Sequence, residues 1–308
     1  VLAQLHEKYP EDVRLVYRHF PLPSHSLSVP AAVAAEAAGK QGKFWEMSEH
    51  IFATQSDWAA MTADQFNSWV VEQASSLGLD ITQFQNDLKS QEILDKVKAA
   101  QQNGIDSGIP GTPFLLINGL RYEGPRDLAN LEAILKLFVL ANRQFTYCPP
   151  MQIDPQKQYI ATIKTEKGDF KIQLYPDKAP MAVNSFVFLA RNGWYDNITF
   201  HQVVAGLGAQ TGDPSGSGMG GPGYTFDDEI SDLTYDEAGV VSMVNAGPGS
   251  NGSQFFITFG PEHQLDGKYT IFGKVIEGMN VVEKIDPRDP QTASGPGNKI
   301  YTITIEEK

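Results

Sequence analysis

Few side chains in this sequence have the types and spacing that covalent or metal chemistry requires. Cys148 is its one cysteine, so no internal disulfide and no thiolate metal site can be assembled within the chain. The six histidines are scattered, and no metal or other cofactor is expected. His201 and His263 invite a general-base reading, but neither has a nucleophile beside it in the sequence. The stretch Gly212–Gly223 (GDPSGSGMGGPG) is glycine-rich like a phosphate loop, yet it lacks a Lys-Ser/Thr ending and a strand-to-helix setting, and it reads as a surface loop. What remains is chemistry by binding. Phe255 and Phe256 alternate on one strand, so one ring can fill a core while the other is offered outward. Gly247-Pro248-Gly249 and Asn251-Gly252 are turn residues that fold the loop carrying Asn245 back beside that strand.

The elements that must position these residues divide in two. A chain of 308 residues exceeds what one core usually serves, so two domains are expected. Glycine marks the division, with 8 of 28 in residues 1–150 and 20 in 151–308. The net charge of −13 is shared, −5 in the first part and −8 in the second. So acidic a surface repels phosphate, and no Lys/Arg block offsets it, which argues against nucleic acid as a partner. No apolar run reaches the roughly eighteen residues of a membrane span. The longest, Leu131–Leu140, carries Glu132 and Lys136 and reads as a packed helix.

Residues 1–143 are helix-patterned. One helix is predicted over Pro30–Ala53, others over Thr62–Leu77, Thr82–Ser90 and Gln91–Asn103 with Gly104 as its stop, and a last over Asp127–Asn142. Strand patterns flank them at Val13–Phe20, Phe114–Ile117 and Leu120–Tyr122, the last two joined by an Asn118-Gly119 turn. Residues 144–157 hold three prolines and read as a stiff linker. In 158–308 the period switches to two: strands are predicted over Tyr159–Thr165, Asp169–Tyr175, Ile198–Val204, Val240–Val244, Phe255–Phe259, Thr270–Val275 and Tyr301–Glu306, a set that suits a closed barrel.

Phe200–Asp213 (FHQVVAGLGAQTGD), Ser242–Phe256 (SMVNAGPGSNGSQFF) and Leu265–Lys274 (LDGKYTIFGK) resemble the cyclophilin-type peptidyl-prolyl cis-trans isomerases. The resemblance implies a mainly-β, eight-stranded barrel with helices at Ala179–Asn192 and Met279–Ile285, and a groove for proline-containing peptides or unfolded client proteins on its outer wall. It also implies a cyclic-peptide inhibitor. Rotation about X-Pro is opposed by an amide-resonance barrier of about 18–20 kcal/mol. Cyclophilins are understood to lower it with an arginine that hydrogen-bonds the prolyl amide, with amides that anchor the preceding residue, and with an apolar pocket for the ring. Carried across, Gln210 and Asn245 are the polar anchors, Phe256 the pocket floor and Leu265 its neighbour. Val244 stands where a small residue is usual, Tyr269 replaces a His, and Gln264 replaces a Trp. Leu207 and Gly208 occupy the places of the pocket Phe and Met. The arginine position is Gln202, which has neither charge nor fork, so reduced turnover is expected, with a non-catalytic proline-binding chaperone or scaffold as the alternative.

In the first half, Tyr17–Pro23 (YRHFPLP) and Gly108–Gly119 (GIPGTPFLLING) resemble the DsbA-type branch of the thioredoxin fold, an α/β architecture with a helical insertion. The resemblance implies a cis peptide at Pro113 beside a peptide-binding site. The family's Cys-x-x-Cys would precede the helix that Val1–Tyr9 ends, and it is absent from this sequence. Because the chain begins at Val1 within that helix pattern, an upstream segment with a signal peptide is expected, and a thiol-disulfide oxidoreductase is the third reading. Family association places the protein outside the cytoplasm.

Overall fold

The computed structural model describes every residue except 291 and 294. In chain order, α1 (Leu2–Lys8), α2 (Ser28–Gly39), α3 (Phe44–Ala53), α4 (Gln55–Trp58), α5 (Ala63–Ser76), α6 (Ile81–Asp87) and α7 (Gln91–Asp106) precede a ribbon of β1 (Leu116–Ile117) and β2 (Leu120–Arg121) and then α8 (Leu128–Ala141). Strands β3 (Tyr159–Thr165) and β4 (Gly168–Leu174), helix α9 (Pro180–Arg191), and strands β5 (Ile198–Thr199), β6 (Gln202–Val204), β7 (Gly208–Thr211), β8 (Val240–Met243), β9 (Phe255–Thr258) and β10 (Ile271–Glu277) follow. Helix α10 (Met279–Val282) and β11 (Lys299–Glu307) close the chain. Two compact units result: Arg14–Gly124, and Val1–Val13 together with Pro125–Lys308.

The Arg14–Gly124 unit is built on α2, whose Ala34, Ala37 and Ala38 are fully buried and let its neighbours approach closely. Its helices start where side chains satisfy the free N–H groups: Thr62 and Gln65 form a reciprocal box on α5, Asp80 accepts from Gln83 N, and Ser90 accepts from Ile93 N. The helix predicted over Pro30–Ala53 is two, because the chain turns through Gly42 at φ +77° between α2 and α3. Gly104 does not stop α7, which runs to Asp106. A Cβ there would lie 2.6 Å from the Phe20 ring, so the glycine admits that ring instead. Val13–Phe20 forms no strand. Burial alternates only over Val13–Val16 and is lost at Tyr17 and Arg18, and among the described residues no backbone partner lies beside the segment to complete a ladder. The Asn118-Gly119 turn is present, both residues having positive φ, and joins β1 to β2.

In the larger unit, one antiparallel sheet runs in the order β5-β11-β3-β4-β10-β8-β9-β7-β6. Its two ends, β5 and β6, belong to the single stretch 198–204, interrupted only at Phe200 and His201. The sheet therefore closes on itself, and its nine described strands amount to eight segments of a barrel, with no open edge. Phe200, Phe255, Phe272, Phe186 and Tyr195 fill the core. The strand predicted over Ile198–Val204 thus serves two neighbours, and its break is the barrel's corner. Strand β7 had no counterpart in the sequence reading, since Gly208-Ala209-Gln210-Thr211 is poor in strand formers. Helix α10 covers four residues rather than Met279–Ile285. Helix α9 begins with Pro180, and Glu229 reaches back to accept from Met181 N and Ala182 N, both at 2.9 Å. A carboxylate there satisfies orphan donors and the helix dipole together.

The proline-rich stretch after α8 lies along α9. Phe145 packs its ring on Phe188 at 4.8 Å, and Asn184 accepts from Gln152 N while donating to the carbonyls of Pro149 and Pro150. Among the described residues, no helix is long and apolar enough to cross a membrane.

Candidate functional site

The site is a row of residues across four strands. Gln202 on β6 is the register partner of Gln210 on β7, Gln210 of Phe256 on β9, and Phe256 of Ser242 on β8. Directly opposed residues share a face and stand about 4.5–5.5 Å apart at Cβ, so these four side chains form one continuous line, with Gln202, Gln210 and Phe256 reaching the surface and Ser242 covered at its end. Phe255, the next residue, points the other way and is 1% exposed.

Phe256 is half-buried and held from two sides. The Tyr235 ring lies nearly parallel to it, 11° apart at 6.1 Å, and the Tyr269 ring meets it edge-on at 6.0 Å. Leu265 packs with Phe256 on a cluster of Tyr235, Val240 and Ile271. Beneath the ring, Tyr235 Oη donates to Ser242 Oγ at 2.7 Å, and Ser242 Oγ donates to the Thr270 carbonyl at 2.9 Å. Burial holds the Tyr235 phenol well above its ordinary value, so it remains a donor.

Gln210 Nε2 donates to Gln254 Oε1 at 2.9 Å, and Gln254 Nε2 donates to the carbonyls of Gly218 and Gly220, each at 2.9 Å. The loop bearing those carbonyls is gathered by the fully buried Asp213, which accepts from Ser215, Ser217, Gly218 N and Gly220 N. This explains the glycine-rich stretch without any phosphate. Asp213 and Gln254 were not singled out from the sequence. The run of an Asp followed by Ser at the second and fourth positions, Ser215 and Ser217, is the pattern of a carboxylate capping its own turn, and it could have found Asp213.

Asn245 differs from the expected anchor. Its side chain turns away from the row, where Nδ2 donates to Asp228 Oδ1 of the segment before β8 at 2.9 Å and Oδ1 accepts from Gly247 N of its own loop at 3.3 Å. Asp228 also accepts from Asn251 Nδ2 and Gly249 N. A carboxylate gathering three donors outcompetes an exposed groove for the amide. Among the described residues the backbone N–H and C=O of Asn245 enter no backbone hydrogen bond, and they are the groups it leaves to the groove.

Gln202 is exposed, and its amide makes no hydrogen bond among the described residues. Leu207 sits in the β6–β7 turn, 38% exposed, its carbonyl accepting from Phe259 N. Gly208 is buried, and a Cβ there would stand 2.5 Å from the Ile257 carbonyl oxygen. The backbone of β9 therefore occupies the space through which a longer side chain would leave. Val244 is half-buried and donates its N–H to the Gln254 carbonyl.

His201 is fully buried, out of reach of a ligand in this arrangement, and among the described residues neither ring nitrogen has a hydrogen-bond partner. Burial holds its imidazole below the ordinary value, against the pull of the Asp213 carboxylate. His263 is exposed beside Asp266 and Asp236. Cys148 is a free thiol raised in pKa by burial. In the other unit, the Thr112–Pro113 peptide is cis and Pro113 is exposed. Among the described residues no group of three or more His, Cys, Asp or Glu is placed to hold a metal.

A family profile described as "Cyclophilin type peptidyl-prolyl cis-trans isomerase/CLD" matches residues 160–307, and one described as "Thioredoxin" matches residues 1–137. Peptidyl-prolyl cis-trans isomerase-like 1 of Emericella nidulans is 47% identical over 128 residues, 40% of this chain and 79% of that protein. An isomerase of Dictyostelium discoideum is 49% identical over 129 residues, 41% of this chain and 83% of that protein. A Rhizopus delemar isomerase is 44% identical over 158 residues, of which the chain spans only 25% of the length. A solved cyclophilin-type isomerase of Cryptosporidium parvum, crystallised in the presence of the dipeptide Ala-Pro, is 40% identical, with a TM-score of 0.45 over 48% of this chain and 98% of that one.

The closed barrel and its outward row define a cyclophilin-type peptidyl-prolyl isomerase domain. The chain belongs to that family through its C-terminal half, and its N-terminal half is thioredoxin-like.

Proposed function

We propose that the row Gln202–Gln210–Phe256, with Leu265 and Tyr269, binds proline-containing segments of unfolded client proteins, and that the domain turns X-Pro bonds slowly. The supporting observation is the register that sets Gln210 directly beside Phe256. A prolyl ring seated on the phenyl face puts the preceding carbonyl within reach of an amide donor, while the free backbone of Asn245 can pair with the preceding residue. The reaction moves no proton and forms no covalent bond, so the site needs only to grip the ring and favour a twisted amide. Gln202 supplies one neutral N–H where a charged fork would stabilise the twisted state better.

The second reading, a chaperone that holds proline segments without turning them, is favoured by the same Gln202 and by the tight Gly208 contact. One experiment separates the two: titration of a short X-Pro peptide by NMR, followed by its cis-to-trans exchange rate. Binding that is lost in Phe256→Ala, competed by an immunosuppressive cyclic peptide and accompanied by exchange faster than the uncatalysed rate supports the isomerase. Binding without acceleration supports the chaperone, and absence of binding in the parent protein overturns both. We also propose a location outside the cytoplasm, which fractionation of cells producing the protein tests.

A further inference from the structure

We infer that Asp213 and Gln254 are positioning residues that set the orientation of the Gln210 amide, so that the glycine-rich loop is the groove's alignment device rather than a surface connection. The inference deepens the proposed prolyl-peptide reading and rests on it for its functional arm.

A glutamine side chain carries a donor end and an acceptor end of nearly the same size. Gln210 is useful to a peptide backbone only when one known end faces the groove. Left alone, it flips by rotation of its terminal torsion, which has a broad twofold profile. In this protein the choice is made by a chain of hydrogen bonds that reads in one direction. The Gly218 and Gly220 carbonyls can only accept, so Gln254 must present Nε2 to both, at 2.9 Å each. That forces its Oε1 toward Gln210, which in turn must present Nε2 to it at 2.9 Å. One Nε2 hydrogen of Gln210 is thereby engaged, leaving its second hydrogen and its Oε1 in an assigned orientation on the row.

The two carbonyls converge on Gln254 because Asp213 shapes the loop that carries them. Its Oδ2 accepts from Gly218 N at 2.7 Å and Gly220 N at 3.0 Å, the N–H groups of the same two residues. Its Oδ1 accepts from Ser215 N and Ser215 Oγ, both at 2.7 Å. A Cβ on Gly220 would stand 2.0 Å from Asp213 Oδ1, so the loop is wrapped as closely on the carboxylate as a backbone can be. Asp213 is 0% exposed and touches neither Phe256 nor Gln202 in any hydrogen bond. Its effect on the groove must pass through Gln254.

The test uses Asp213→Asn, Gln254→Leu and the double variant in the full chain. Asp213→Asn leaves one oxygen where two accept from the loop, so either the Gly218–Gly220 pair or Ser215 N loses its acceptor and faces an NH2 donor. Gln254→Leu removes the relay while leaving the loop its carboxylate. In the peptide-free protein, each change is expected to shift the Gln210 Nε2H2 resonances toward those of a freely rotating glutamine. Loss of one neutral hydrogen bond to a bound peptide weakens binding about two- to tenfold, so KM for an X-Pro peptide rises by that factor with kcat held, as for an interaction made equally in ground and transition states. The double variant is expected to be no worse than the more affected single, because both cut one chain. Unmoved Gln210 resonances in either variant, or additive effects in the double, overturn the inference. Should Asp213→Asn fail to fold, Gln254→Leu with the Gln210 resonances decides alone. Should the parent protein bind no prolyl peptide, the proposed function fails, while the resonances still decide the orientation chain.

Discussion

Gln202→Arg places a charged, forked donor at the rim of the row, two strands from Phe256 and thus about 9–10 Å across at the usual inter-strand spacing. The parent amide makes no hydrogen bond and is exposed, so the exchange breaks nothing in the native structure and acts on the bound peptide alone. Removing a preorganised donor from a transition-state oxyanion costs about 2.7–4 kcal/mol. Restoring one at an exposed rim, where water and salt screen it, is worth the lower end. At about 1.36 kcal/mol per decade, the expected gain in kcat/KM is about 10²-fold. The assay is the cis-to-trans relaxation of a short X-Pro peptide at low and high ionic strength, with Kd measured separately. The gain should sit mainly in kcat, because the guanidinium favours the twisted amide over the planar one, and it should shrink with added salt. If Gln202→Arg binds peptide as the parent does and kcat/KM stays within about threefold, well short of one decade, the missing charge is not what limits this domain.

Three further outcomes follow from particular contacts. Gly208→Met, the change that would restore the family's pocket side chain, should cost about 1–3 kcal/mol in urea unfolding, since its Cβ would meet the Ile257 carbonyl oxygen at 2.5 Å; unchanged stability would mean that β7 and β9 separate freely. Glu229→Gln removes the carboxylate from the start of α9 and should lower stability by about 1 kcal/mol, more at low salt than at high, as a charge at a helix N-terminus requires. Stability should also fall on acidification below about pH 6.5 through His201. Its folded pKa is depressed, so the unfolded state binds the proton first, and stability is full above the ordinary value of 6.5 and declines as pH falls toward the folded value. The slope from one such histidine is at most about 1.4 kcal/mol per pH unit. His201→Leu should flatten it, leaving the part due to His19, which burial also lowers against the pull of Glu36; an unchanged slope in that variant would assign the acid sensitivity elsewhere.

Much of this protein was legible in the order of its residues because the signals are local. The helix start at Thr62 depends on a side chain reaching its own backbone three residues on. The β3–β4 hairpin follows from alternation around Lys167-Gly168. The opposite facing of Phe255 and Phe256 is forced by strand geometry alone. The same local rules misled where a residue answers to a distant partner. Gly104 has the chemistry of a helix stop but exists to admit the Phe20 ring, 84 residues earlier in the sequence. Val13–Phe20 has the alternation of a strand and no neighbour to pair with.

The site divides along the same line. Residue types alone determined that this chain has no disulfide of its own. That Gln202, Gln210, Phe256 and Ser242 form one row was decided by the pairing of four strands whose register no single segment contains. Tertiary structure alone turned the Asn245 amide away toward Asp228 and buried His201 out of reach of any ligand. Only tertiary structure, too, tied Gln210 through Gln254 to a loop wrapped on Asp213. The physical reason is that a hydrogen bond's worth depends on which competing partner the fold brings within 3 Å, and that choice is made by contacts between residues tens of positions apart.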